Sequence, residues 1–187
     1  TTTFSFDEVS KKPAKRYAPA PFTTSTLQQE SARKLSFSVS KTMSVAQRLY
    51  EAGHNTYMRT DSVNLSSIAK DKAKEFVTNQ FGNIYSNPKN YSVKSKNAQQ
   101  AHEAIRPTDI SRTPDKMKKF LSTDQIKLYE LIWSRALSSQ MEAAKFDRKT
   151  ITISSQDKLN EFRCSGSTIK FDGYLKLTKI DNNEEEK

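Results

Sequence analysis

The sequence predicts an α+β fold in which a mainly helical domain is inserted between two segments of β-strand. Near the start, Phe4, Phe6 and Val9 alternate with polar residues, as they do in an edge strand. In the middle of the chain, apolar residues recur three or four positions apart, which is the spacing of a helix face. After Phe146 the spacing of the apolar residues changes to two, which indicates further strands.

The first strand is followed by residues 11–22, which read KKPAKRYAPAPF. Three prolines in this stretch, Pro13, Pro19 and Pro21, hold the backbone in an extended conformation. We therefore predict a basic linker that connects the strand to the helices.

Two helices are predicted over residues 25–52. Ser25 and Gln28 have the spacing of a capping box at the start of the first helix. Met43 and Leu49 lie on the apolar stripe of the second helix, and Gly53 stands where a glycine commonly ends one.

Two further helices have equally clear boundaries. Ser66 is the predicted N-cap of the first and Gly82 its stop signal. Ser122 and Gln125 form a second capping box, from which a long helix is predicted to run to about residue 145. Trp133 lies on the apolar stripe of that helix, so we expect a core residue rather than a platform for stacking bases.

The C-terminal strands are predicted in the segments KTITIS, NEFRCS and TIKFDGYLKL, which alternate with a period of two. Ser165 and Gly166 fall between the last two segments and suit a hairpin turn. Cys164 is the single cysteine, and its strand-like surroundings predict a buried small hydrophobe.

Composition narrows the class of function. The chain has 187 residues, a formal net charge of +10 and a pI near 9.6, which favours a polyanionic partner such as nucleic acid. One cysteine permits neither an internal disulfide nor a zinc cluster built from thiolates. The sequence has no apolar run long enough for a transmembrane helix, and we expect an intracellular protein without a membrane partner.

The segment TYMRTDSVNLS, residues 56–66, carries the first candidate chemistry. A tyrosine becomes a useful nucleophile towards a phosphodiester only when its phenolate and the phosphoryl oxygens are stabilised. Arg59 suits that task, and in an extended segment it projects to the same side as Tyr57 and Asp61, which is placed to orient it by an ion pair. The alternative is a packed tyrosine in a loop whose Asp61 or Ser62 caps the next helix.

The segment AHEAIRPT, residues 101–108, is the second candidate. His102 and Arg106 are four positions apart, a spacing that aligns them on a short helix. His102 suits phosphate binding or proton transfer, and Glu103 suits holding a partner. A capped surface helix explains the same residues equally well.

Four segments together resemble type IA DNA topoisomerases, the family of bacterial DNA topoisomerase I. They are PFTTSTLQQESARKL, RLYEAGHNTYMRTDSVNLS, AHEAIRPTDI and LYELIWSRALSSQMEAA, and they occur in the family's order between about residues 15 and 175. One departure is Asn55, which stands where family members usually have an apolar residue before the Thr-Tyr pair.

The resemblance implies that Tyr57 is the nucleophile, which cuts one strand of single-stranded DNA and forms a 5′-phosphotyrosyl link. Strand passage and religation then relax negatively supercoiled DNA without ATP. Arg59 is implied to stabilise the scissile phosphate. The implied DNA-binding and supporting residues are Thr60, Asp61, Ser62, His102, Glu103 and Arg106.

The resemblance also implies a division of the chain into domains. Residues 20–146 resemble the family's helical third domain, which carries the tyrosine, and residues 1–19 and 147–187 resemble parts of its β-arch second domain. The family binds Mg²⁺ in a Toprim domain that we do not find here, so we expect this piece to be inactive by itself. The whole enzyme is expected to be monomeric, cytoplasmic and associated with the nucleoid.

Two alternatives from other classes remain. Tyrosine recombinases and type IB enzymes also use Tyr, Arg and His, but their histidine and arginine are spaced HxxR and their tyrosine lies near the C-terminal end. A non-catalytic basic DNA-binding module fits the net charge and the paired helices. Such a module tolerates Tyr57→Phe, whereas a topoisomerase does not.

Overall fold

The computed structural model describes residues 4–91, 103–155 and 159–178. Its architecture is α+β, as the alternation of periods predicts. The elements in chain order are β1 (Phe4–Arg16), α1 (Thr24–Leu35), α2 (Val39–Glu51), α3 (Ser67–Phe81), α4 (Pro114–Met117), α5 (Thr123–Ser138), β2 (Ala144–Ser155) and β3 (Glu161–Phe171). Short 3₁₀ turns lie at Asn83–Tyr85 and Gly173–Lys176.

The strands form one antiparallel sheet with the order β1-β2-β3. β1 pairs with β2 along its length, from Phe4 opposite Ser155 to Arg16 opposite Ala144. The five helices within the described ranges therefore lie, in sequence, between two strands that are neighbours in the sheet. This order agrees with an insertion of helices between β segments, while the correspondence to the family's second and third domains stays a prediction.

Two predictions about the strands are wrong. Residues 11–16 belong to β1 rather than to a linker, because Pro13 lies on an edge strand, where a missing N–H need not interrupt the sheet. Ser165 and Gly166 do not form a turn but lie within β3, opposite Thr150 and Lys149 of β2. Pairing along the whole of β2 moves the connection to the residues between Ser155 and Glu161.

Cys164 is also placed differently from the prediction. Its strand, β3, is exposed on both faces over almost its whole length, so the thiol is exposed rather than buried. Strand periodicity does not reveal whether another layer covers a given face, which is why the sequence suggested burial.

The helix boundaries are partly confirmed. Ser66 caps α3, Gly82 follows its last residue, and Ser122 and Gln125 form the predicted capping box of α5. The first helix, however, is capped by Thr23 with Thr26, two residues before the predicted pair. The long helix ends at Ser138 rather than near residue 145, because Ala144 onward pairs with β1.

The core is built around α5. The largest buried side chains come from helices and from the segments that connect them, and they include Phe22, Leu27, Leu49, Leu128, Tyr129, Ile132 and Leu137. Trp133 is a core residue, as predicted: its ring packs edge-on against Phe76 with centroids 5.7 Å apart, and Nε1 donates to the Ile110 carbonyl at 2.8 Å. Burial raises the pKa of Tyr129 to about 12, and its hydroxyl donates to the Arg112 carbonyl. No described helix combines the length and apolar character needed to cross a membrane.

Candidate nucleophile and phosphate site

The segment that carries Tyr57 is neither helix nor strand, and its side chains alternate between solvent and the interior. Tyr57, Arg59 and Asp61 are exposed, whereas Met58, Thr60 and Ser62 are buried. The alternate exposure agrees with the prediction that Tyr57, Arg59 and Asp61 share a side, which stays a prediction. A phenol and a guanidinium two residues apart on one exposed edge form the chemical centre of the candidate site.

One side of the segment is fixed by the first turn of α1. The Thr24 hydroxyl donates to the Met58 carbonyl at 2.8 Å and accepts from the Thr60 amide at 2.9 Å. The Thr24 amide, which has no partner within its helix, donates to the Thr60 carbonyl at 2.9 Å. One threonine therefore holds the peptide groups on both sides of Arg59.

The other side of the segment is fixed by residues 103–108, which are extended rather than helical. The Thr56 amide donates to the Arg106 carbonyl at 2.9 Å, and the Arg106 amide donates to the Thr56 hydroxyl at 3.0 Å. The Ala104 amide donates to the Asn64 carbonyl at 2.8 Å, farther along the segment. Since Ile105 also pairs with Phe22, this second motif lies between the start of α1 and the tyrosine segment.

Glu103 and Arg106 form an ion pair inside this arrangement. The Arg106 Nε and Nη2 atoms both donate to Oε2 of Glu103, at 2.9 and 2.5 Å, and Nη1 donates to the Pro107 carbonyl at 2.9 Å. The other carboxylate oxygen, Oε1, accepts from the Ser66 amide at 2.7 Å. Burial raises the pKa of Glu103, but the hydrogen bonds from Ser66 and the Arg106 charge outweigh it, so that the net pKa is lowered.

The ring of Tyr57 packs against α2. Its centroid lies 5.2 Å from that of Tyr50 in an edge-to-face arrangement, and both side chains are 40% exposed. Such a ring pair restricts the orientation of Tyr57 while the phenol stays at the surface. The packed-tyrosine alternative is wrong in both parts: the ring is supported but not buried, and the next helix is capped by Ser66 rather than by Asp61 or Ser62.

Arg59 is exposed, and no carboxylate within the described ranges forms an ion pair with it. The predicted ion pair with Asp61 is thus not formed in this structure. An exposed guanidinium keeps its five donors available for a phosphate, to which its fork is matched. A phosphate-binding group and a phenol thus lie two residues apart on the same exposed segment.

The remaining predicted site residues have different surroundings. The buried Thr60 hydroxyl accepts from the Ser62 amide at 3.1 Å, and the Ser62 hydroxyl accepts from the Asn64 amide at 3.2 Å. Both hydroxyls therefore shape the backbone of the segment. His102 lies outside the described residues, so its role stays a prediction.

Sequence reasoning missed three residues of the site. Thr24, Thr56 and Tyr50 hold the backbone or the ring of the tyrosine segment. Thr24 and Thr56 lie within the segments that resemble the family, but their hydrogen-bond partners lie 34 to 50 residues away along the chain. No local pattern predicts such partners.

Asn55, the departure noted in the sequence, is almost fully buried, and neither amide atom has a hydrogen-bond partner. Its backbone nevertheless bridges to Pro107, so the segment is held beside it. The neighbouring His54 has its pKa lowered by burial and by the charge of Arg112. Within the described part of the chain, no three side chains among His, Cys, Asp and Glu gather as possible metal ligands.

Comparison with known proteins gives consistent matches. A family model described as DNA topoisomerase matches residues 1–187. DNA topoisomerase 1 of Rickettsia bellii (strain RML369-C) is 47% identical, over 98% of this chain and 24% of the relative. DNA topoisomerase 1 of Rickettsia felis (strain ATCC VR-1525 / URRWXCal2) is 45% identical, over 98% of this chain and 25% of the relative.

The solved structure of full-length topoisomerase I from Thermotoga maritima superimposes with a TM-score of 0.85 at 40% identity. The match covers 96% of this chain and 30% of that one. The chain spans about a quarter of the length of the curated relatives.

Proposed function

This chain belongs to the bacterial type IA DNA topoisomerase I family, and we propose that it supplies the nucleophile with which the whole protein cuts and rejoins one strand of DNA. The observation that carries the proposal is the shared exposed edge of Tyr57 and Arg59, held from both sides by backbone hydrogen bonds. A nucleophile must be exposed to reach a polymer, and it must be fixed to attack in line.

The proposed cleavage step exchanges one phosphodiester for another. The phenolate oxygen of Tyr57 attacks the scissile phosphorus, the bond from phosphorus to the 3′ oxygen breaks, and that oxygen leaves as a hydroxyl after taking up a proton. The product is a 5′-phosphotyrosyl link. Religation runs the same exchange backwards, so the bond energy is retained and ATP is not needed.

Arg59 is proposed to stabilise the charge that builds up on the phosphoryl oxygens in both directions. Because it has no carboxylate partner within the described ranges, its donors need not leave another ion pair to reach a phosphate. Arg106 is different, since its donors are already used by Glu103 and Pro107. We therefore assign Glu103, Arg106, Thr60 and Ser62 to holding the segment, and leave contact with DNA to Arg59, Asp61 and His102.

The whole protein is proposed to act on single-stranded DNA and on negatively supercoiled DNA in the cytoplasm, as a monomer at the nucleoid. The magnesium requirement of the whole protein stays a prediction, and it concerns a Toprim domain that we do not find in this chain. For the same reason we expect the isolated chain to bind DNA without cutting it, helped by a net charge of +10.

The test uses the full-length protein with magnesium and single-stranded DNA that is labelled at one end or the other. Denaturant traps the adduct. The expected result is protein joined to the 5′ phosphate at the break, so that the adduct carries the label of the 3′ end, and this adduct is absent in Tyr57→Phe. Protein joined to a 3′ phosphate, so that the adduct carries the label of the 5′ end, contradicts the proposal.

The second candidate function is a non-catalytic DNA-binding module, which the basic composition favours. In that case Tyr57→Phe leaves the function of the whole protein unchanged, and no adduct forms with either label. Arg59→Ala then weakens DNA binding, whereas the topoisomerase proposal expects it chiefly to slow cleavage.

A further inference from the structure

A second charged surface lies on the β-sheet, where three pairs of basic residues face each other across β1 and β2. Lys11 is opposite Lys149, Lys12 is opposite Arg148, and Lys15 is opposite Lys145. Like charges directly opposite each other on neighbouring strands destabilise a sheet. Three such pairs in one short stretch need a reason other than stability.

Protection of an edge strand does not supply that reason. Lysines on an edge strand prevent unwanted pairing with another chain, and this explains Lys11 and Lys15 on β1. Lys145 and Lys149, however, lie on β2, which is the central strand and has neighbours on both sides.

One face of the sheet collects four of these charges. Ala144 and Phe146 are buried on the opposite face, so Lys145 and Lys149 project away from the core together with Lys11 and Lys15. We call these four residues the lysine face. Between its two pairs lie Pro13 and Asp147, and Asp147 is already paired with Lys170 at 3.1 Å.

The lysine face is not neutralised by the protein. In the part of the chain that the structure describes, none of its four lysines forms an ion pair with a carboxylate. Lys145 lies over the ring of Phe171, 5.5 Å from the centroid, which leaves its charge intact. A persistent positive field over an exposed sheet face fits a polyanion.

We propose that the lysine face binds the phosphate backbone of B-form duplex DNA, separately from the Tyr57 site. Its two lysine pairs are four residues apart along the strands, which is about 13 Å. The major groove of B-form DNA is about 12 Å wide, so one pair reaches the phosphates on each wall of the groove.

Single-stranded DNA fits this face less well. Proteins that bind single strands combine positive charge with aromatic side chains on which bases stack. The positions between the two lysine pairs carry Pro13 and Asp147. The neighbouring Phe171 ring is engaged by the Lys145 ammonium on one side and by the Tyr85 ring, 4.8 Å away, on another. A-form duplexes fit poorly too, because their major groove is narrow.

The test measures binding of a short blunt-ended duplex to the full-length protein in a Tyr57→Phe background, so that no covalent adduct contributes. The variant Lys11→Gln/Lys149→Gln removes one pair. If each lysine neutralises one phosphate, the slope of log affinity against log salt falls by about 1.8. The expected loss of affinity is about 200-fold at about 50 mM salt and about 20-fold at about 200 mM salt.

The matched control is Lys119→Gln/Lys127→Gln, which removes the same charge from exposed positions elsewhere. Binding of a single-stranded oligonucleotide is measured in parallel and is expected to change no more than in the control. The thermal midpoint of Lys11→Gln/Lys149→Gln is expected to stay level or rise, since a repulsion is removed. If its midpoint falls instead, two further variants distinguish the loss of charge from the loss of folded structure. They are Lys11→Arg/Lys149→Arg, which keeps the charge, and Lys15→Gln/Lys145→Gln, which removes the second pair.

Two results overturn the proposal. One is duplex affinity equal to that of the control variant, with an unchanged salt slope. The other is an equal loss of single-strand affinity, which would make the lysine face a general polyanion surface. Neither result bears on cleavage by Tyr57, because the labelled-end experiment tests that function independently.

Discussion

The hydroxyl of Thr24 offers a direct test of how the tyrosine segment is held. Thr24→Val keeps the shape of the side chain but removes a donor to the Met58 carbonyl and an acceptor for the Thr60 amide. These groups are partly buried, and each one left without a partner costs about 1–3 kcal/mol. The amide of Thr24 still donates to the Thr60 carbonyl and holds the two segments together. We therefore expect the free energy of local opening to fall by about 2 kcal/mol, which is less than the summed cost of two unpaired groups.

Amide hydrogen exchange of Thr60 measures this loss directly, because its N–H is one of the affected groups. A loss of about 2 kcal/mol corresponds to exchange about 30-fold faster. Formation of the covalent adduct with single-stranded DNA is expected to slow as well, since Arg59 lies between the two released peptide groups.

Thr23→Val is the matched control. It removes the N-cap of α1, at a cost of about 1 kcal/mol, without touching the tyrosine segment. We expect it to lower stability but to leave Thr60 exchange and adduct formation near normal, while Thr24→Ser behaves as the parent protein. Equal exchange of Thr60 in Thr24→Val and the parent protein would refute the reasoning.

Three further predictions concern the same site. Glu103→Gln is expected to lower the free energy of unfolding by about 1–2 kcal/mol at neutral pH, through weaker bonds to Ser66 and Arg106. The folded pKa of Glu103 is lowered, so its contribution to the free energy of unfolding is present above the unfolded pKa of about 4.3. That contribution is lost as the pH falls through the folded pKa. The free energies of unfolding of the parent protein and the variant should therefore converge in acid. Tyr50→Ala is expected to slow adduct formation about fivefold through loss of the ring pair, while Tyr50→Phe retains it. Arg59→Ala is expected to slow single-turnover cleavage about 100-fold or more, with a much smaller change in DNA affinity.

Each of these predictions has a contrary result. A constant difference between Glu103→Gln and the parent protein down to low pH would mean that the carboxylate charge is not the source of stability. Equal rates for Tyr50→Ala and Tyr50→Phe would remove the ring pair from the account of the site. Arg59→Ala that loses affinity and cleavage in equal measure would make Arg59 a binding residue rather than one that acts on the transition state.

The helix boundaries show how far local chemistry predicts a fold. The sequence correctly predicted the caps at Ser66 and Gly82 and the Ser122–Gln125 capping box, because a cap satisfies backbone groups within its own turn. The predicted start of α1 lies two residues after the observed one. The Thr24 amide at this start donates to the Thr60 carbonyl, which is distant in sequence. The predicted end of α5, near residue 145, lies about seven residues after the observed end at Ser138, because the residues from Ala144 onward pair with β1 at the far end of the chain.

The sequence by itself determined the α+β class, the family, and the alternation that places Tyr57 and Arg59 on one exposed edge. These depend on spacing along the chain, which the backbone geometry of an extended segment or a helix converts directly into a face. The tertiary structure alone decided what holds that edge: Thr24 on one side, and Thr56 with Arg106 on the other. It also brought the basic residues of β1 and β2 into opposing pairs, since contacts between distant parts of a chain depend on how the whole chain packs.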